Sequence, residues 1–278
     1  MTVPVASAAR PVRTRRSGRL TAASGLGLGV ALLWFSLLVL IPLAAVVAVA
    51  IEGGPAAFWT AITAPQTSAA IRLTVGTAAA VTAVNVVMGP LIAWVLVRDK
   101  FVGKRLLEVL IDIPFALPTI VAGLVLVSLY GPRSPLGVDI ANSRPAVFLA
   151  FLFVTLPFIV RTVQPVLAEL DTEVEEAAAS LGASRVTTLR RIVLPSLTPA
   201  IAAGAAMSFA RGVSEYGSLV LLSGNLPYRT EVTSVRILSS IENNNLPSAA
   251  SVATVLLVIA LVVIVLLDLI QRKVARHG

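Results

Sequence analysis

Long apolar runs separated by short polar, basic or proline- and glycine-bearing segments set the pattern of this chain. Six of them, at 28–51, 73–97, 107–129, 146–167, 197–222 and 249–270, each supply the roughly 20 helical residues needed to cross a ~30 Å hydrocarbon layer. The pattern predicts an all-α, polytopic membrane protein with six transmembrane helices. Pro114, Pro118 and Pro157 lie inside these runs and are expected to bend their spans, which a bundle tolerates when neighbours satisfy the freed backbone groups.

Composition agrees with this reading. Apolar residues make up 57% of the 278 and charged residues 13%, against about 45–50% and 25% in soluble domains. Mean hydropathy is +0.92. The basic residues fix the orientation. Arg10, Arg13, Arg15, Arg16 and Arg19 precede the first span, and Arg98, Lys100, Lys104 and Arg105 follow the second. Arg185, Arg190 and Arg191 follow the fourth, with Arg272, Lys273 and Arg276 in the C-terminal tail. All of these share one side, whereas the other side has only Arg72, Arg133, Arg144, Arg229 and Arg236. Both termini are therefore expected to be cytoplasmic. The net charge of +8 is mostly topological, so it points neither to nucleic acid nor to an anionic substrate.

Residues 1–24 read as a mobile basic cytoplasmic tail and 25–278 as the transmembrane domain. The arginines, apolar run and Ala48-Val49-Ala50 also resemble a signal peptide, but the run exceeds the usual 7–15 residues, which favours an uncleaved span. There is no cysteine, and His277 is the single histidine. Thiolate and histidine metal sites and His-based catalysis therefore lack their residues. No Walker A run, H-E-x-x-H or G-x-S-x-G occurs, so no catalytic residue and no metal ligand is assigned.

Between the fourth and fifth spans, 169–195 carries the strongest local signal. Thr172 and Glu175 have capping-box spacing, and the acidic residues gather where a helix dipole is positive. Gly182 suits the left-handed conformation that ends a helix. Ser184 can cap a second helix, Arg190 and Arg191 suit its far end, and Pro195 ends it or starts the next. Val174, Ala177, Ala178 and Leu181 recur at helical spacing, giving a small, mostly alanine face beside carboxylates. Either this is an ordinary connector lying on lipid or its own bundle, or it receives another surface.

The spacing favours the second reading. Glu176-Ala177-Ala178, three residues, Gly182, nine residues, then Ile192-Val193-Leu194-Pro195 resembles the EAA loop of bacterial ABC importer permeases. The resemblance implies the type I ABC importer permease fold, a permease domain over 25–278, and a cytoplasmic coupling helix that inserts into a separate ATPase. Glu176, Ala177, Ala178, Gly182, Ile192, Leu194 and Pro195 would form that ATPase-coupling loop. The segment 112–119, D-I-P-F-A-L-P-T, looks like the sulfate and molybdate permease branch. The segments 157–167 and 224–234 resemble the T-type sulfate/thiosulfate permease. The likeness runs from about the second span to the C-terminus and omits the basic tail.

What the resemblance implies is a permease without its own ATPase that moves sulfate or thiosulfate inward by alternating access across the bacterial inner membrane. It implies a paralogous permease subunit, two ATPase subunits that bind ATP and magnesium, and an extracytoplasmic sulfate-binding protein. No cofactor is implied for this chain itself. A molybdate/tungstate permease is the nearest alternative. An ion-coupled secondary transporter, usually built from related halves, is another; no half-repeat is visible here.

Arg211, Ser214 and Glu215 fall within the predicted fifth span. Ionised groups there are costly unless paired or functional, so Arg211 and Glu215 form a packing ion pair, or the three line the anion path, or they lie at a different membrane depth from the one the span implies. Ala200, Gly204, Ser208 and Gly212 make a small-residue ridge for close helix packing or for a subunit interface. Asn85 is expected to hydrogen-bond between helices, and Arg161 and Gln164 to snorkel.

Overall fold

The computed structural model describes residues 22–275, and it divides them into two units that meet between Ala45 and Val46. The expected tail, up to residue 21, and His277 lie outside the described residues. The chain's α1 (Ala22–Phe35) passes through one π-helical turn (Ser36–Leu40) into α2 (Ile41–Ile51), whose residues from Val46 onward belong to the second unit, making an unbroken apolar stretch, Ser24–Ile51, of 28 residues. The widened turn has a local cause. Pro42 lacks an amide hydrogen and its ring crowds the carbonyl four residues back, so the chain adopts an i→i+5 bond just before it, from Ile41 to Ser36.

The second unit continues with α3 (Gly54–Thr63), α4 (Pro65–Arg98), α5 (Lys104–Ala116), α6 (Thr119–Tyr130), α7 (Arg144–Glu169) and α8 (Thr172–Ser180). After α9 (Arg185–Thr188) a second π turn (Leu189–Val193) leads into α10 (Leu194–Val213), followed by α11 (Gly217–Leu222), α12 (Thr233–Glu242) and α13 (Leu246–Ala275). Among the described residues five helical stretches are long and apolar enough to span a membrane, and a bent pair, counted as one span, brings them to six.

Two spans differ from expectation. The third is broken: from α5 to α6 the helix axis is bent by 120°. Pro118 forces Leu117 into an extended conformation and removes a donor, so the helix restarts on a new axis. The fifth runs from Arg185 to Val213 and stops before 214–216, so α11 is a separate helix rather than its end. Pro195 takes the second of its two expected roles and lies in the first turn of α10. The π turn ahead of it, closed by the Leu194 amide on the Leu189 carbonyl, absorbs it as the first π turn absorbs Pro42.

α4, α7 and α10 pack on one another, with α13 against α10 and α6 against α11. Glycines set the approach. A Cβ on Gly204 would lie 2.9 Å from the Ile159 Cα, and one on Gly123 would lie 2.8 Å from the Ser218 carbonyl. Between two apolar layers, one holding Phe151 and Phe209 and the other Ile159 and Leu197, Asn85 donates to the hydroxyls of Thr155 (2.9 Å) and Ser208 (3.3 Å). Outward-facing Leu91, Leu106, Leu124, Leu261 and Val265 are exposed, the reverse of a soluble fold and the surface a lipid environment covers.

Candidate functional site

The bend between α7 and α10 is built by local chemistry. Asp171 caps α8, its carboxylate accepting the Glu173 amide at 2.9 Å. The Thr172–Glu175 capping box does not form. Glu175 instead accepts from Arg98, at the end of α4, at 2.6 Å. Gly182 takes φ +83°, and the amides of Gly182 and Ala183 return to the carbonyls of Ala179 (2.9 Å) and Ala178 (3.0 Å). This double closure satisfies the final carbonyls of α8 and favours a residue without a Cβ. Ser184 then caps α9 through the Thr187 amide at 3.2 Å.

No residue of α8 is buried. Leu181 is 89% exposed, and Val174, Ala177, Glu173 and Glu176 are exposed with it, while Ala178 is half-buried. A connector packed on its own bundle would bury that apolar face, which counts against that half of the plainer reading; a connector lying on lipid would leave it exposed in this way. Ile192 lies in the second π turn, and Leu194 and Pro195 open α10. The two halves of the motif therefore do different work: Glu176–Gly182 forms the protruding bend, and 192–195 makes it continuous with a span. Glu176 and Leu194 also line a cavity of about 870 Å³ whose far wall is Pro90, Leu91 and Trp94 of α4.

Arg211, Ser214 and Glu215 come together where α10 ends. Glu215 is 1% exposed. Its Oε1 accepts from the amide and hydroxyl of Ser218 at 3.0 and 2.9 Å, capping the short α11. The Arg211 guanidinium lies 2.7 Å from Oε2, an ion pair by distance, although Oε2 has no hydrogen bond of good geometry. Ser214 is exposed and donates to the Arg211 carbonyl at 3.1 Å. The small-residue ridge lies inside the bundle, with Gly204 on Ile159 and Thr162, Ser208 on Asn85, and Gly212 facing Ala78 and Phe151. Gly204, Ser208 and Gly212 are thus a packing seam within the chain.

Two ionic contacts escaped the sequence. Arg161 does not snorkel: its guanidinium donates to Asp112 at 2.7 Å, Gln164 at 2.6 Å and the Glu108 carbonyl at 3.1 Å, tying α7 to α5. Arg98 joins α4 to α8. Both partners lie far apart in sequence, and only the rotational register of packed helices brings them together. Among the described residues no cluster suited to a metal ion occurs.

The profile of the family described as binding-protein-dependent transport system inner membrane component matches residues 85–277. The chain is 42% identical, over 90% of both chains, to the sulfate transport system permease protein CysT of Synechocystis sp.. It is 39% identical to the protein of that name from Escherichia coli, over 91% of this chain and 94% of the other. A solved bacterial alginate ABC transporter, in complex with an alginate pentasaccharide-bound periplasmic protein, includes a chain with TM-score 0.75 at 18% identity, covering 90% of this chain and 94% of that one. A chain of an amino acid ABC transporter gives a TM-score of 0.56 at 18% identity, over 75% of this chain and 94% of the other. At that identity these two speak for the fold alone.

Proposed function

Because the chain belongs to the binding-protein-dependent transport system inner membrane component family, we propose that it is the permease subunit of an ATP-driven sulfate importer. It is a multi-pass membrane protein and not an enzyme, with hydrolysis left to a separate ATPase subunit. The observation that carries the sulfate assignment is 42% identity across nine-tenths of a sulfate permease. The exposed bend at Glu176–Gly182 supports a docking role, because Leu181, Ala177 and the Glu176 carboxylate are exposed among the described residues.

In this reading α8 sits in a cleft of the ATPase on the cytoplasmic side, where Arg98, Arg185, Arg190 and Arg191 gather, and both termini share that side. A related permease completes the pore, two ATPase subunits drive it, and an extracytoplasmic binding protein delivers the anion. ATP-driven closure of the ATPases moves the docked bends and opens the paired permeases outward. Arg211 and Ser214 offer a guanidinium and a hydroxyl to the passing oxyanion, and buried Glu215 holds Arg211 in place. The accessibility of the first two beside a fully buried carboxylate supports that division.

The test is uptake of radiolabelled sulfate by cells with the chain deleted and restored, with thiosulfate and molybdate as competitors. Restored uptake that thiosulfate suppresses and molybdate leaves intact is the expected result. Uptake unaffected by deletion, or restored only for molybdate, would overturn it.

A further inference from the structure

Arg98 is the last residue of α4, and its side chain is only 16% exposed. One terminal nitrogen donates both to the Leu170 carbonyl, where α7 ends, at 3.0 Å and to Glu175 on α8 at 2.6 Å. The guanidinium also sits 5.9 Å from the centre of the Trp94 ring. Three helices are thus gathered at one cation, in a partly buried place where salt screens little.

The backbone explains what this contact restrains. α8 is a rigid rod of nine residues between two non-helical joints, Leu170 (φ −71°, ψ 120°) on one side and left-handed Gly182 on the other. With no buried residue of its own, such a rod can swing about the line joining its ends. Among the described residues the Arg98–Glu175 pair is the ion pair that ties α8 to a span. We infer that Arg98 is a positioning residue for the transport cycle, holding α8 to α4 so that force arriving at the bend enters α4 as well as the continuous α10. Sulfate movement and ATP hydrolysis then stay in proportion because two spans move with the bend. This rests on the proposed function above.

The chain has no cysteine, so engineered thiols in it stand alone. The Arg98→Cys/Glu175→Cys variant is assembled with its companion permease and ATPase in proteoliposomes, with the binding protein added. The readout is sulfate imported per ATP hydrolysed. A fall of about 5-fold or more is expected, the size of an ordinary coupling free energy, with the ATPase still co-purifying. A bifunctional methanethiosulfonate reagent, bridging the gap the two side chains filled, should restore most of the ratio, whereas either single-cysteine variant given the same reagent should stay low. An unchanged ratio in the double variant, loss of the ATPase from the complex, or no recovery on cross-linking would overturn the inference. A wild-type complex that fails to import sulfate would instead overturn the proposed function, and the inference with it.

Discussion

The α4–α7–α10 bundle and the α8 bend obey different rules. In the bundle the decisive contacts are backbone to side chain, made at Gly89, Gly204 and Gly212, with Ala146, Val147 and Phe151 sealed from solvent. Lipid competes for apolar side chains but not for close backbone approach, so glycine and hydroxyl positions specify how these helices meet. The bend has no buried residue, and its shape comes from Asp171, the paired amides at Gly182–Ala183 and Ser184. One region is specified by fit between distant segments and the other by a few adjacent residues. Damage to the first should remove the protein, and damage to the second should leave a protein that no longer couples.

The largest effect is expected at the seam. In Gly204→Val the added carbon meets the Ile159 backbone at 2.9 Å, which cannot be relieved by turning a side chain. The usual overpacking cost of about 1–3 kcal/mol is then a lower bound, and membrane fractions should contain little folded chain, with uptake lost in proportion. Full abundance of this variant would show that the bundle is looser than its geometry implies. Gly182→Val should act differently. A β-branched residue at φ +83° strains the bend by roughly 1–2 kcal/mol, a factor of about 5 to 30 in its population. Abundance should stay normal while sulfate uptake falls by that order and ATP hydrolysis continues. Parallel loss of both would erase the distinction between the two regions.

Arg211 stands at the end of α10 and tests whether a charge in the bundle only packs. Arg211→Met keeps most of the volume but removes the partner of buried Glu215. Arg211→Met with Glu215→Gln removes both charges, and should recover the abundance lost by the single change. Sulfate uptake by the double variant is still expected to be down about 10-fold, the loss of a charged hydrogen bond. Normal transport by that variant would make the pair purely structural.

What could be read in advance follows the same division. The αL glycine, the Ser184 cap and the spans themselves were legible because each depends on a few residues in series. The Thr172–Glu175 box was misread because Arg98, 77 positions away, claims Glu175. The fifth span was misplaced because hydropathy runs on past 214–216, where the backbone stops being helical. Pro118 was expected only to bend its span, and the 120° break found there depends on where α6 finds α11. The Arg211–Glu215 pair was visible from its spacing, yet spacing is silent about Ser218, whose amide and hydroxyl determine which way the carboxylate faces.

The smallest effect should come from Asn85, where bundle specificity rests on polar rather than steric contact. Its amide nitrogen serves Thr155 and Ser208, while its own Oδ1 has no partner, so the site is only half satisfied already. Hydrogen bonds between helices in a membrane average about 0.6 kcal/mol, because the separated helices also find partners. Asn85→Ala should therefore lower the melting temperature of the purified chain by only about 1–3 °C and leave sulfate moved per ATP unchanged. Combining it with Thr155→Ala should add less than the two separate losses, because both remove one shared bond. Strict additivity would mean that the bond contributes nothing. A change in transport ratio without a change in melting would shift Asn85 from the packing seam to the path of the anion.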